Sequence, residues 1–428
     1  MTDFKVTNVP WIGSIPSNWN LCRFKNVAIS KKKIAKGKSV DYERLALTLS
    51  GVIKRSKSDT DGLQPKEFDS YQIIESGDFV FKMIDLQNIS TSRVGLSPFT
   101  GLVSPAYLRF KPSNHMDSRF FYYYLMALYH LHIYNHIAGD GVRSALNADD
   151  IGNLICPICN LEEQKRISKF LDKQLGLIDE LIQNEQKQIE KLKEYRQALI
   201  SEVVTKGLDK SAPMKDSGVE WIGKIPQDWE IKRFKFIVDS ISKGAGITKD
   251  QVKKDGDTQC VRYGEIYSKY QYSFENCFSK TNAKLIESKQ YCQYGDILFA
   301  GTGELVEEIG KNIVHLGNKP VLVGGDIIIA KHHLNPIFLS FAVGSQYAQK
   351  QKSYGKAKLK VVHISADDIG NIQLALPPAN IQDQISDYLL KITADISHVL
   401  EIKLKKIDLL NSYKKSLIYE YVTGKKEL

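Results

Sequence analysis

The sequence predicts an α+β protein: two similar mixed α/β domains, related by pseudo-two-fold symmetry and separated by an antiparallel coiled coil of two long helices. Three observations predict this fold class. The chain repeats its landmarks at a constant spacing, each copy opens with short apolar runs bounded by glycine and aspartate, and each copy ends in a long segment without proline. With 428 residues, the chain is also longer than one hydrophobic core usually serves.

The internal duplication is visible as matched segments. WIGSIPSNWNLCRFK begins at Trp11, and WIGKIPQDWEIKRFK begins at Trp221, 210 residues later. ADDIGN occurs at Ala148 and again at Ala366, 218 residues later. A repeat of this length, with its landmarks in the same order, indicates two copies of one folding unit.

Each copy divides into a mixed region and a helical segment. The mixed regions contain short apolar runs such as Asp78-Phe-Val-Phe and Asp296-Ile-Leu-Phe, which are typical of strands. The helical segments lack proline, and Gly176 is their one glycine before the ends. We therefore predict a first mixed domain at 1–160, a first helical spacer at 161–206, a second mixed domain at 207–380 and a second helical spacer at 381–428.

A heptad seam along both helical segments favours a mutual coiled coil over separate packing of each helix on its own domain. Glu185 and Arg196 interrupt the seam in the first copy, where Lys403 and Lys414 interrupt it in the second. We expect antiparallel helices, because the compact second domain joins the end of one helix to the start of the other. The apolar seam positions are Ile182, Ile189, Leu192, Leu199, Val203, Leu400, Ile407, Leu410, Leu417 and Tyr421.

Charge and cysteine usage suggest the setting in which the chain works. The formal net charge of +10 suggests a polyanionic partner such as nucleic acid, although many basic proteins bind none. No apolar targeting segment opens the chain, and tyrosines and histidines interrupt the most apolar stretch, residues 120–134, so no membrane span is expected. The six cysteines lack a framework spacing, so we expect reduced thiols in the cytoplasm.

The predicted helical rod has a length relevant to such a partner. A break is expected at Gly176 and at its counterpart Ala394, which follows Thr393. From there to residue 205, the rise of an α-helix gives a rod of roughly 40 Å. One turn of B-DNA measures about 34–36 Å. We therefore expect the two domains to be held about one duplex turn apart.

These features together resemble the specificity subunit of type I restriction–modification systems. The matching residues are the WIGxIPxxW openings, the Gly-Asp pairs before the strands and Leu161-Glu-Glu-Gln-Lys-Arg-Ile at the entry to the first helix. The most distinctive match runs from Ile178-Asp-Glu-Leu-Ile to Lys193-Glu-Tyr-Arg-Gln-Ala-Leu-Ile. The resemblance covers essentially the whole chain. The second copy departs from it at Ile381-Gln-Asp-Gln-Ile, where the family pattern has Glu-Gln.

The resemblance implies two target-recognition domains, each specific for one half of a bipartite double-stranded DNA sequence. The helices would set the gap between the half-sites and dock two methyltransferase subunits, and restriction (motor-nuclease) subunits would join that core. The chain itself would catalyse nothing and hold no metal or cofactor. S-adenosylmethionine would bind to the methyltransferase subunits, and ATP and Mg²⁺ to the restriction subunits. Because the two domains differ greatly between their shared landmarks, an asymmetric target is predicted.

Candidate DNA-binding residues are lysines and arginines beside glycine-rich turns, since these side chains bind phosphates and base edges. Residues 31–33 form a dense basic run, for which a solvated loop is the alternative interpretation. In the first domain the candidates are Lys31, Lys32, Lys33, Lys54, Arg55, Arg93 and Arg143. In the second domain they are Lys243, Lys249, Arg262, Lys356, Lys358 and Lys360.

Motifs typical of other chemistry are interpreted as structural. Phe299-Ala-Gly-Thr-Gly matches a pattern that binds S-adenosylmethionine, but the equivalent Phe81-Lys-Met-Ile-Asp has no glycine. Cys156-Pro-Ile-Cys lacks the second cysteine pair typical of zinc sites, which favours buried cysteines. Asp149-Asp150 and Asp367-Asp368 are interpreted as helix-capping or turn residues.

Two other functions stay open beside DNA specificity. One is an independent adenine methyltransferase, which methyl transfer by the pure chain would support. The other is a coiled-coil scaffold that binds only protein, which a lack of salt-dependent DNA binding would support.

Overall fold

The computed structural model describes residues 3–59, 67–86, 92–137, 145–356 and 361–428. The chain forms two compact units. The first unit contains residues 1–185 and 404–428, and the second contains residues 186–403. Each unit holds one mixed α/β domain, called here the first or second head, and parts of both long helices.

The first head is a mixed domain of short strands and helices. Its strands are β1 Phe4–Val6, β2 Ser14–Pro16, β3 Asn20–Arg23, β4 Ala28–Ser30, β5 Arg44–Thr48, β6 Gly51–Arg55, β7 Gln72–Ile74, β8 Phe79–Phe81, β9 Val94–Leu96, β10 Gly101–Val103, β11 Leu108–Pro112 and β12 Ile155–Ile158. Its helices are α1 Ser118–His130, α2 Ile133–Ile137 and α3 Ala148–Gly152. The two larger sheets have the strand orders β6-β5-β10-β7 and β4-β11-β8-β9.

The second head follows the long helix α4, Leu161–Lys206, and precedes the long helix α9, Ala379–Val422. Its strands are β13 Met214–Asp216, β14 Lys224–Pro226, β15 Glu230–Arg233, β16 Ser240–Lys243, β17 Thr258–Val261, β18 Ser273–Phe274, β19 Ser279–Thr281, β20 Tyr291–Cys292, β21 Ile297–Ala300, β22 Thr302–Gly303, β23 Asn312–His315, β24 Val321–Val323, β25 Ile327–Lys331, β26 Val362–His363 and β27 Gln373–Leu376. Its helices are α5 Tyr263–Ser268, α6 Pro336–Gly344, α7 Gln346–Ser353 and α8 Ala366–Gly370.

The two heads share one sheet topology, which confirms the predicted pair of similar mixed domains. The orders β19-β17-β24-β20 and β16-β25-β21-β23 of the second head repeat the two larger sheets of the first. The heads share one parallel pair, β5 with β10 and β17 with β24, and the second head has another, β18 with β23. Helix α5 and strand β18 are additions in the second head, between β17 and β19. The two copies therefore differ in the elements that directly follow β5 and β17, the first strands of the shared parallel pair.

The repeated ADDIGN segments form short capped helices, α3 and α8. Asn147 and Ser365 each accept a hydrogen bond from the backbone of the third helical residue, and Asp150 and Asp368 each bond back to the backbone of the cap residue. These reciprocal bonds satisfy donors that a helix start leaves open. The prediction that the acidic pairs cap helices is confirmed for Asp150 and Asp368.

The long helices run antiparallel within each unit, as predicted. In the first unit Asp179 pairs with Lys414, and Glu185 pairs with Lys406 at 2.6 Å, so the residue number falls in α9 as it rises in α4. In the second unit Gln188 accepts a hydrogen bond from Lys403 and Arg196 donates one to Ser397. The core of each head extends onto the helix segments of its own unit.

The predicted helix break at Gly176 and Ala394 is wrong. Helix α4 is continuous from Leu161 to Lys206, and α9 is continuous from Ala379 to Val422. One glycine costs a helix only about 1 kcal/mol, and burial of the neighbouring Leu175 and Ile178 outweighs that cost.

The repeated Trp-Ile-Gly openings receive the ends of the long helices. Just beyond the end of α9, Gly424 has a φ of +69° and lies against Pro16 and Trp19, inside the first unit. Just beyond the end of α4, Gly207 has a φ of +74° and lies against Trp229, inside the second unit. Both glycines take the left-handed conformation that ends many helices. The strongest sequence landmark of each copy is thus a docking site for a helix end.

A buried lysine should make the stability of the second unit depend on pH. Lys352 in α7 is 1% exposed, and its ammonium donates a 2.8 Å hydrogen bond to the Gly310 carbonyl. Burial lowers the pKa of Lys352 from 10.5 to about 7, because desolvation disfavours the charged form. Between these values the unfolded chain holds a proton that the folded chain has lost, so the stability should rise with pH from about 7 to 10.5 and level off below 7, where both states are protonated.

We expect Lys352→Met to flatten that dependence, measured as urea midpoints of the full chain between pH 6 and pH 10. Lys350→Met, an exposed lysine of the same helix, is the matched control and should keep the slope. An unchanged slope in Lys352→Met would contradict the prediction.

Candidate nucleic-acid interface

In each head a lysine-rich loop follows an edge strand, β4 in the first head and β16 in the second. The first basic loop, residues 31–38, follows β4 and carries five lysines and no carboxylate. The second basic loop, residues 243–254, begins at the end of β16 and carries four lysines and one aspartate. Because β4 and β16 hold the same place in the repeated topology, the two loops are structural counterparts.

A buried alanine anchors each basic loop to the neighbouring sheet. Ala35 is 2% exposed and donates its backbone N–H to the Tyr71 carbonyl at 2.8 Å. Ala245 is 4% exposed and donates its backbone N–H to the Val323 carbonyl at 2.8 Å. These anchors fix the loop backbones while their lysines stay in solvent. Each head therefore has a basic surface loop whose backbone is anchored to the sheet.

In the first head, the predicted residues differ in their surroundings. Lys31 and Lys32 are exposed, and no ion pair of either is seen within the described part of the chain. Three other candidates are held by carboxylates of the same head: Lys33 by Glu75 at 2.9 Å, Lys54 by Glu43 at 2.6 Å and Arg55 by Asp59 at 2.6 Å. Arg143 lies outside the described residues.

Three cationic side chains surround the carboxylate of Glu75. Its oxygens lie 2.9 Å from Lys33 Nζ, 3.1 Å from Lys111 Nζ and 3.3 Å from Arg109. The hydrogen bonds from Lys33 and Lys111 hold the pKa of Glu75 down to about 2, so it stays ionised near neutral pH. Glu75 therefore neutralises part of the positive charge near the first basic loop.

Arg93 lies in the interior of the first head instead of on its surface. It is 3% exposed, and its guanidinium donates to the carbonyls of Ile84 at 3.1 Å and Asp85 at 2.8 Å. Burial lowers the pKa of the Arg93 guanidinium from its usual value. Its position at the edge of an apolar strand favours this structural bonding, so we leave Arg93 out of the proposed DNA surface.

In the second head, Lys243 and Lys249 are exposed, and no ion pair of either is seen within the described residues. Lys356 instead lies 2.7 Å from Asp368, the carboxylate that caps α8. Arg262 is partly buried at the end of β17. Lys358 and Lys360 lie outside the described residues.

A pocket of about 480 Å³ lies beside Arg262 in the second head, between the second basic loop, α5 and the turn after β24. Lys249, Arg262 and Lys269 contribute its cationic groups, and Gly264, Gly324 and Gly325 contribute backbone walls. Lys269 was not among the residues predicted from the sequence. It directly follows α5, 20 residues after Lys249 in the chain, and only the tertiary fold brings both lysines to one pocket.

The predicted seam residues face the interior of the helix pairs to different degrees. Of these, the buried ones are Ile182, Ile189, Val203, Leu400 and Leu417. The partly buried ones are Leu192, Leu199, Ile407, Leu410 and Tyr421. The seam interruption Glu185 is 6% exposed, and its ion pair with Lys406 compensates a carboxylate that would otherwise be buried alone.

The motifs of other chemistry take structural positions. Phe299 and Ala300 end β21, and Thr302-Gly303 forms β22, so the glycine-rich motif consists of two strands and the residue between them. Cys156 and Cys159 are buried free thiols, and burial raises the pKa of both. Among the described residues, no group of three or more metal-ligating side chains is close enough to hold an ion. None of the helices in that part of the chain has the length and apolar character for a membrane span.

The chain is similar in sequence to known proteins of one kind. A family model for the type I restriction modification DNA specificity domain matches residues 16–191. The type I restriction enzyme MjaVIII specificity subunit of Methanocaldococcus jannaschii is 25% identical over 335 residues, which cover 76% of this chain and 74% of that protein.

Two solved structures share the fold along nearly the whole chain. One is a chain from work on the structural basis of complex assembly and conformational transition of the type I R-M system, with a TM-score of 0.71, 16% identity and coverage of 96% of this chain and 99% of that one. The other is the HsdS subunit from Thermoanaerobacter tengcongensis, with a TM-score of 0.52, 15% identity and coverage of 96% and 98%.

The match to the family model lies in the first copy, and the duplication repeats its landmarks in the second. The shared fold then spans both copies. Residues 16–191 thus match the type I restriction modification DNA specificity domain, and the chain is similar along most of its length to type I restriction enzyme specificity subunits.

Proposed function

We propose that this chain selects the DNA sequence on which a type I restriction–modification complex acts, with each head binding one half of a split target. The observation that carries the proposal is the pair of basic loops, at equivalent positions of two heads with one topology. Exposed lysines for which no ion pair is seen among the described residues suit the phosphate contacts that dominate affinity for duplex DNA. Lys31, Lys32, Lys243 and Lys249 are the leading candidates for those contacts.

The proposed target is asymmetric because the residues next to the basic loops differ between the heads. The first head places Lys54 and Arg55 on strand β6, whereas the second head places Arg262 and Lys269 around helix α5. Base edges are distinguished by the type and position of such side chains. Two heads that present different groups should therefore bind different half-sites.

We assign the gap between half-sites, and the docking of partner subunits, to the long helices. Both copies leave apolar side chains exposed at duplicated positions: Leu181 corresponds to Val399, and Tyr195 corresponds to Tyr413. Exposed apolar groups on a helix pair suit a protein partner. Their repetition suits two copies of one partner, which we propose to be methyltransferase subunits, with restriction subunits joining the complex.

The catalytic chemistry is assigned to those partners. We propose that the methyltransferase subunits bind S-adenosylmethionine and that the restriction subunits bind ATP and Mg²⁺, while this chain holds no cofactor and catalyses no step. The complex would act in the cytoplasm, where the chain's cysteines stay reduced; those in the structure are free thiols.

The test is a methylome, obtained by long-read sequencing of source cells with and without this gene. We expect loss of one split, asymmetric motif with a methylated adenine on each strand, restored when the gene returns. Identical half-sites would contradict the asymmetric target. A methylome that the deletion leaves unchanged would contradict the proposal in these cells.

Binding of duplex DNA by the purified complex separates this function from a protein-only scaffold. The affinity should fall steeply as salt rises, because each phosphate contact releases counterions. A complex without salt-dependent DNA binding would favour the scaffold, and methyl transfer by the chain alone would favour an independent methyltransferase.

A further inference from the structure

The pocket of the second head is lined by a partly buried arginine, Arg262. Arg262 follows β17, and its Nε is buried without a hydrogen-bond partner. Its backbone N–H donates to a Glu265 carboxylate oxygen at 2.9 Å, which holds the backbone of Arg262 at the start of α5, and the carboxylates of Glu265 and Asp326 line the same pocket. A buried donor left open costs free energy unless a ligand supplies the acceptor.

Other shielded arginines of the described chain have internal acceptors. Arg109 is bonded to Asp78, and Arg93 is bonded to two backbone carbonyls. Their groups hold the fold together. Within the described residues, Arg196 and Arg262 both have a buried Nε without a partner, but Arg196 donates through Nη1 to Ser397, whereas no hydrogen bond of the Arg262 guanidinium is seen.

Glycines shape the pocket wall next to Arg262. A Cβ at Gly324 would lie 3.1 Å from the Val261 carbonyl oxygen and 3.7 Å from Arg262 Cγ, so only glycine lets the turn after β24 approach this closely. A Cβ at Gly264 would meet nothing within 4 Å, so that wall is open. Arg262, whose backbone is held, therefore lies between a closely packed glycine turn on one side of the pocket and an open wall on the other.

We propose that Arg262 recognises a guanine in the half-site bound by the second head, through the O6 and N7 acceptors of the major-groove edge. The proposal rests on the DNA-specificity function and names one of its specificity-determining residues. A planar guanidinium fork matches those two acceptors, and arginine on guanine is the commonest specific base contact. Lys249 and Lys269 line the same pocket and bind the flanking phosphates, which position the duplex.

The test replaces Arg262 with alanine in the complete system and sequences the methylome of cells that carry the variant. One guanine of the second half-site should become degenerate, with about a 10- to 100-fold loss of preference at that position. The first half-site should stay unchanged, which also shows that the variant is folded and assembled. Arg233→Ala, which removes an exposed arginine of the same head, is the charge-matched control and should keep the full motif.

Arg262→Lys separates base recognition from phosphate binding. Lysine keeps the charge but loses the fork, so the same position should relax although affinity at moderate salt is largely kept. If Arg262 bound a phosphate, Arg262→Ala would weaken all sequences alike and lower the salt slope by about 1, without relaxing the motif. That result, or an unchanged motif, would overturn the assignment of Arg262. A wild-type complex that binds no DNA would overturn the proposed function itself.

Discussion

Arg109→Ala is expected to destabilise the first unit by about 3–5 kcal/mol, because it leaves a carboxylate buried without its partner. Arg109 is 5% exposed and Asp78 is 1% exposed, and Arg109 Nε lies 2.5 Å from Asp78 Oδ2. The same carboxylate oxygen accepts the backbone N–H of Glu75 at 2.6 Å, so the pair also fixes the turn before β8. Urea unfolding of the full chain measures the loss.

The second head shows that this fold does without the arginine when its surroundings change. The strand register places Ile329 where the first head has Arg109, and Asp296 corresponds to Asp78. Asp296 keeps the bond from the backbone N–H of Gln293, while burial raises the pKa of its carboxyl. The Arg109–Asp78 ion pair is therefore a feature of the first head, and its removal should lower the free energy of unfolding of the first unit.

Two further variants test that explanation. Arg119→Ala breaks an exposed ion pair with Asp172 and should cost at most about 1 kcal/mol. The double variant Arg109→Met with Asp78→Asn removes both charges and keeps an acceptor for Glu75, so it should recover part of the loss. A loss for Arg109→Ala as small as that for Arg119→Ala would show that the buried pair contributes little.

Gly424→Ala is the second large effect, with an expected loss of about 2–4 kcal/mol from backbone strain and overpacking. Gly424 has a φ of +69°, and an added Cβ would lie 2.6 Å from Pro16 Cγ and 3.4 Å from Trp19. The proline ring has little freedom to move aside. The substitution should therefore loosen the docking of α9 on the first head, measured by thermal unfolding and by proteolysis at the C-terminal end.

Gly207→Ala is its matched control in the second unit. Gly207 has a similar φ of +74°, but its added Cβ would meet only the Trp229 ring, at 3.2 Å. It carries the same backbone strain with a milder clash, so we expect about 1–2 kcal/mol. Equal losses for the two variants would show that strain alone matters and that the Pro16 contact does not.

Much of the architecture follows from local sequence signals. The duplication, the long proline-free helices, their antiparallel pairing and the capping role of Asp150 and Asp368 were all predictable. Each depends on periodicity, spacing or hydrogen bonds between residues a few positions apart. The break at Gly176 was mispredicted because burial on either side decides whether a helix tolerates a glycine, and burial is a tertiary property.

The sequence by itself determined the two-copy layout, the helix pair and the resemblance of the chain to type I specificity subunits, since all three lie in repeated patterns. Tertiary structure decided what each basic side chain does. Arg93 and Arg262 look alike in the sequence, yet Arg93 is bonded to interior carbonyls, whereas Arg262 lines a pocket and has a buried Nε without a partner among the described residues. The reason is physical: the partners of a charged group come from strands and loops distant in the chain, and a one-dimensional pattern of lysines and arginines does not specify them.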